Sequence, residues 1–234
     1  MKKSITVARY VMTFVVLIVV IYIGLNSYQH KQKIIFADHL NDVVFTLNGQ
    51  DVYLKDFMFY IASMETRVEE EARVYNKTST KDYWNAHANG HFISEDVKES
   101  VFNMVVHDYL FYELAVEEGL ELSDEDLVAV SNSKCDFYED LLDNQWQLLE
   151  TMNITEEVID EQMRLAALAE KYQEYLAAKS HGSVASYKAD GYYYKQILDE
   201  HTLIVNKKLW DRIVIGDVTL IHKKVQFING YEER

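Results

Sequence analysis

His87 and His91, in His87-Ala88-Asn89-Gly90-His91, have the i, i+4 spacing that sets two imidazoles on one side of a helix, where they could bind zinc. Asn89-Gly90 inside the gap argues against a helix, and the Glu of a His-Glu-x-x-His motif is missing. The expectation is a loop without metal. Three acidic clusters, Glu69–Glu71, Glu117-Glu118 and Asp124–Asp126, could supply acid/base pairs or calcium ligands. None has the Asp-x-Asp-x-Asp-Gly pattern of a calcium loop, and helix caps and solvated faces explain them. Cys135 is the only cysteine, so neither an intramolecular disulfide nor a thiolate metal cluster can form. Between Lys134 and Asp136 it reads as a helix-surface or core residue rather than a nucleophile. No Gly-x-Ser-x-Gly elbow and no phosphate-binding glycine loop occurs. Asn76-Lys77-Thr78 and Asn153-Ile154-Thr155 match the glycosylation sequon, which has meaning only in a eukaryotic secretory pathway, and the second also reads as a helix start. The residues thus predict no catalytic site, no metal and no cofactor.

The elements that would carry any site are helical. The 234 residues include no proline and only 8 glycines, so the strongest helix breaker is missing and long helices are expected. With 49% hydrophobic residues the chain can bury a core, as one large domain or two small ones. The net charge of −15 is uneven. Residues 1–37 hold five bases and no acid, residues 38–178 hold 9 bases and 31 acids, and residues 179–234 hold 9 bases and 7 acids. The acidic body would repel phosphate backbones, which argues against a nucleic-acid partner.

Lys2, Lys3 and Arg9 precede sixteen uncharged, apolar residues, Tyr10–Leu25. Extended through Thr6–Ala8, with Arg9 snorkelling, the run reaches spanning length. Cleavage is poorly encoded, since Tyr22-Ile23-Gly24 offers a bulky residue where a small one is wanted. No cysteine follows the run, which rules out a lipoprotein anchor. The expectation is an uncleaved signal anchor over residues 1–28, with a cleaved signal peptide as the alternative, a juxtamembrane stalk over 29–42 and a helical domain over 43–234. The positive-inside rule places the N-terminus in the cytoplasm and the body outside the cell membrane.

Within the body, Val43–Leu47, Asn48-Gly49 and Gln50–Tyr53 predict a hairpin. A helix from Leu54 presents Phe57, Tyr60, Ile61, Met64 and Val68 on one face and leaves Glu65, Glu69, Glu70 and Glu71 mostly on the other. Asn76–Phe92 reads as a loop with Tyr83 and Trp84 tucked inward. Ser94 caps a second helix, apolar over most of its circumference and so central, which Gly119 ends. Ser123–Asp126 starts a third, continuing past Trp146 with a bend. The fourth runs from Asn153–Thr155 to Lys179, and His181-Gly182-Ser183 breaks it. A shorter helix covers Ser186–Glu200. Thr202–Val205, Ile213–Ile215, Thr219–Ile221 and Val225–Ile228 have strand character.

The succession resembles the SurA/PrsA-like extracytoplasmic foldases. The resemblance rests on Val43–Phe57 with its Asn-Gly turn, on Val101–Asp126 with Glu117-Glu118-Gly119 and Ser123-Asp124-Glu125, on Asn153–Leu176, and on Tyr192–Ile213. It covers residues 43–213 and implies a mainly α, SurA N-terminal-like peptide-binding chaperone domain with short strands at its start and C-terminus. Isomerase-active members carry a parvulin domain between or after these elements. Here only the eleven residues Ser180–Asp190 separate the last two, so the resemblance implies a chaperone without isomerase activity.

What the resemblance implies is binding of unfolded or newly secreted polypeptides in a cleft between helices. Met, Tyr and Phe side chains could repack around many apolar sequences there. Phe57, Tyr60, Met64, Phe111 and Met163 are the candidate client-binding residues. The alternative is a non-catalytic adaptor or subunit of a membrane-associated secretion or cell-envelope complex, with one fixed partner.

Overall fold

The computed structural model describes residues 34–76, 79–88, 90–142 and 144–222. Asn48 and Gly49 have φ of 49° and 91°, the paired left-handed conformations that a two-residue hairpin turn needs. They join β1 (Val43–Leu47) to β2 (Gln50–Tyr53), antiparallel, with Leu47 opposite Gln50 and Thr46 opposite Asp51. A register shift between Val43 and Phe45 turns both Val44 and Phe45 inward. The far edge of β1 is taken by β5 (Leu203–Val205), also antiparallel, so the sheet order is β2-β1-β5. Asn48 fastens this return, its side-chain oxygen accepting the Thr202 N–H at 3.1 Å.

The rest is mainly helical. A 3-10 turn at Leu54–Phe57 leads into α1 (Met58–Tyr75). Then come α2 (Thr80–Trp84), a small antiparallel pair of β3 (His87–Ala88) and β4 (His91–Phe92), and α3 (Ile93–Glu117). These are followed by α4 (Asp124–Asp140), α5 (Gln145–Thr151) and α6 (Glu156–Ser180). A 3-10 turn at Val184–Tyr187, α7 (Tyr192–Asp199), β5 and α8 (Lys207–Trp210) complete the order. With no proline to interrupt them, α3 and α6 each run for 25 residues.

As its all-round apolarity predicts, α3 is central, packing against α6, α1, α2, β1 and β4. Val101, Val105, Leu110, Phe111 and Ala115 are fully buried there, and each large apolar side chain so buried contributes roughly 1.5–3 kcal/mol. At the sheet end, Phe45, Phe57, Phe102 and Trp210 interlock, the closest pair being Phe57–Trp210 at 5.0 Å. Met58 and Ala62 point from the other side of α1 into a second core, where Val130 and Phe137 of α4, Leu149 of α5 and Ile159 and Met163 of α6 meet. Helix α1 is therefore shared by both cores.

Several expectations need correction. Asn76–Phe92 is not all loop, since α2 and the β3–β4 pair lie within it, although Trp84 is buried as expected. Helix α3 begins at Ile93, whose N–H donates to Ala86 at 3.1 Å, so Ser94 lies in the first turn rather than at the cap. The third helix ends at Asp140 because Leu141 turns to an extended ψ of 131°, and α5 is separate. The Ser186–Glu200 helix is confined to Tyr192–Asp199, preceded by a 3-10 turn. Ile213–Ile215 and Thr219–Ile221 form no strand. Their neighbourhood is organised by a carboxylate: Glu65, fully buried, accepts the backbone N–H groups of Gly216, Val218 (3.1 Å) and Thr219 (2.6 Å) and the Thr219 hydroxyl. Glu65 consequently lies inside, not on the solvent face, and so does Glu69, which accepts the Trp84 indole N–H at 2.9 Å. Of the stalk, Ile34 and Phe36 pack against the core. The expected membrane segment and Val225–Ile228 lie outside the described residues. Among the described residues, no helix is long and apolar enough to cross a membrane.

Candidate functional site

Helix α4 is anchored at its start and leaves a hollow beneath. Ser123 caps it: its hydroxyl accepts the Asp126 N–H while the Asp126 carboxylate accepts the Ser123 N–H at 2.8 Å. Asp126 also pairs with Lys171 of α6 at 2.5 Å, and Lys171 donates to the Glu121 carbonyl at 2.9 Å. The Lys171 ammonium, helped by the Ser123 donors, holds the Asp126 carboxyl down at about 2. Further along, Lys134 meets Asp160 of α6 at 3.3 Å. Val130 and Phe137, seven residues apart, turn inward, and Phe137 rests on Phe59 of α1 at 5.5 Å.

Two cavities lie along this helix. One, of about 650 Å³, is bounded by Asp126, Ala129, Val130 and Ser133 of α4, by Ala166, Ala167 and Glu170 of α6, and by His107 and Asp108 of α3. The other, of about 450 Å³, lies between Ser133, Asp136, Phe137 and Asp140 of α4 and Ser63, Thr66, Arg67 and Glu70 of α1. Phe59, Ser133 and Met163 border both, so the two adjoin along α4 and are referred to together as the groove. Small side chains make the hollow: Ala166 and Ala167 on α6 oppose Ala129 and Ser133 on α4.

At the α3 end, the polar side chains are already committed to one another. Asp108 accepts the Tyr60 hydroxyl at 2.9 Å, and its other oxygen lies 2.7 Å from Nδ1 of His107. Nε2 of His107 lies 2.8 Å from the Tyr187 carbonyl. Both imidazole nitrogens are thus engaged, and burial, with Asp108 alongside, pushes the Tyr60 hydroxyl well up. Among the described residues, no histidine or carboxylate is hydrogen-bonded to Ser133 to take its proton. The chemistry this groove offers is reception of apolar side chains between charged rims.

The five predicted client-binding residues separate. Phe57, Tyr60, Met64 and Phe111 belong to the main core, Phe111 lying edge-on to Tyr172 at 5.5 Å and Tyr194 at 5.6 Å. They do not line the groove, because the apolar stripe that makes a helix fold is the stripe that the fold covers. Met163 does line it, in both halves. Phe59, Ser133 and Ala167 are not marked by the sequence, and Ala166 is marked only as part of the apolar stripe of α6. Phe59 lies off the main stripe of α1, and the small residues of α6 carry no signal until α4 is placed over them. His87 and His91 are not helical partners: His91 pairs with Ala88, and His87 lies 4.3 Å from the Phe92 ring opposite it. Among the described residues, no group of three His, Cys, Asp or Glu is placed to hold a metal ion. Cys135 is exposed on α4. Comparison of the chain with protein-family models, with curated proteins and with solved structures finds no match.

Proposed function

We propose that this protein is an extracytoplasmic, chaperone-like polypeptide binder of the SurA/PrsA type. It is held at the cell membrane by its N-terminal segment and receives stretches of unfolded or newly secreted chains in the groove beneath α4. The observation that carries the reading is the pair of cavities sharing Phe59, Ser133 and Met163. An apolar side chain entering there meets Phe, Met and Ala surfaces, and the unbranched Met can repack around different shapes. Only a four-residue 3-10 turn and short loops join α6 to α7, so this reading assigns no isomerase activity.

The test is aggregation suppression by the full chain in nonionic detergent. Several-fold excess over a chemically unfolded client is expected to suppress light scattering, and Phe59→Ala is expected to weaken suppression. Failure with several unrelated clients contradicts the reading. An adaptor with one fixed partner is favoured by a separate observation: Tyr192, Tyr193 and Ile204 are exposed and border neither cavity. In-cell crosslinking separates the two, since a chaperone gives many substoichiometric adducts and an adaptor gives one stoichiometric adduct.

A further inference from the structure

Charge along the groove is lopsided. Its lining includes seven carboxylates, Asp108, Asp126, Glu170, Glu174, Glu70, Asp136 and Asp140, against the lysines and arginine Lys171, Lys188 and Arg67, with His107 set between Asp108 and the Tyr187 carbonyl. Asp108 and Asp126 are satisfied internally, by Tyr60 and His107 and by Lys171 and Ser123. The other five make no ion pair or hydrogen bond with any described residue. Four of them fall into i, i+4 pairs, Asp136 with Asp140 on α4 and Glu170 with Glu174 on α6. Like charges at that spacing lie about 5–6 Å apart and repel, weakening the helix that carries them. The Glu170–Glu174 pair borders a floor of Phe59, Met163 and alanines, and the Asp136–Asp140 pair one of Phe59, Phe137 and Met163.

We propose that the groove prefers segments in which an apolar side chain is flanked by lysine or arginine. The apolar residue seats against Phe59, Met163, Ala166 and Ala167. The flanking cations reach the Asp136–Asp140 and Glu170–Glu174 pairs and relieve their repulsion. Lys171 does not compete, being held by Asp126. The occupant is thus a basic-apolar peptide segment, selected by charge complementarity; this rests on the groove being the client site.

The test uses the full chain in nonionic detergent and three fluorescent peptides with the same apolar centre and basic, neutral or acidic flanks. Binding is read by anisotropy, and site occupancy by a benzophenone placed on Ser133→Cys in a Cys135→Ser background. The basic peptide is expected to bind about tenfold more tightly than the acidic one at low salt, with the gap closing as salt rises. The exposed double variant D136N/D140N is expected to lose most of that preference, and a variant that keeps it overturns the proposal. Equal affinity for all three, with crosslinking from position 133, overturns the charge preference and leaves the groove standing. Absence of crosslinking from position 133 with every peptide overturns both.

Discussion

Glu65 shows how much one side chain can organise. Its carboxylate is fully buried among donors from Gly216, Val218 and Thr219, and burial raises its pKa against the opposing pull of those donors. The same cluster continues sideways: the Gln145 side chain donates to Thr219 Oγ1 at 2.9 Å and accepts the Thr66 hydroxyl at 2.8 Å. Truncation to alanine would leave three backbone N–H groups without an acceptor in a dry site. Glu65→Ala is therefore expected to lose at least about 3 kcal/mol, seen as a fall of roughly 6–12 °C in thermal midpoint. A change within 1 °C would show that water replaces the carboxylate. No local signal marks this role. Glu65 sits in an acid-rich stretch, and its partners lie some 150 positions later, so a solvated face was the natural reading. Met163, by contrast, stands out in sequence as a Met on an apolar stripe, and it does border the groove. In the groove, Phe59→Ala is expected to weaken client binding about fivefold or more, since half-buried aromatic anchors dominate such surfaces; titration of a labelled unfolded client measures it.

Helix α4 is the element on which the groove depends. It is tied to α6 through Asp126–Lys171 and Lys134–Asp160 and reaches α1 chiefly through Phe137 on Phe59. Asp126 titrates near 2, below the ordinary carboxyl value of 3.8. A lowered carboxyl contributes stability that is fully present above the unfolded value and lost as pH falls through the folded one. The tie at the start of α4 should therefore hold at pH 5 and fail between about pH 4 and 2. Hydrogen exchange is the readout. Asp126→Asn is expected to speed exchange across 124–140 at neutral pH while α3 keeps wild-type protection, and uniform acceleration throughout would contradict this. The start of α4 was legible because a Ser-x-x-Asp capping box is a local signature, and the hairpin was legible because Asn-Gly needs no distant partner. The break at Leu141 was legible only as a bend, because the full break depends on the Gln145 side chain accepting the Leu142 N–H at 2.8 Å.

At the scale of the whole molecule, α1 is the shared wall of two cores. The main one holds Phe57, Tyr60, Ile61 and Met64, and the smaller holds Met58 and Ala62. The groove runs beside the smaller core, so a client could be held there while the α3–α6 packing stays intact. The proposed role requires no turnover, and a proline-peptide isomerase assay of the full chain is expected to equal the uncatalysed rate; measurable turnover would contradict it. The most direct test of the central claim is site-specific crosslinking of an unfolded client, comparing a benzophenone at position 133 with one at Val74, which is exposed and borders neither cavity. The account predicts client adducts from position 133 that excess unlabelled client suppresses, and few from position 74. Equal adducts from both positions, or none from 133, would contradict it.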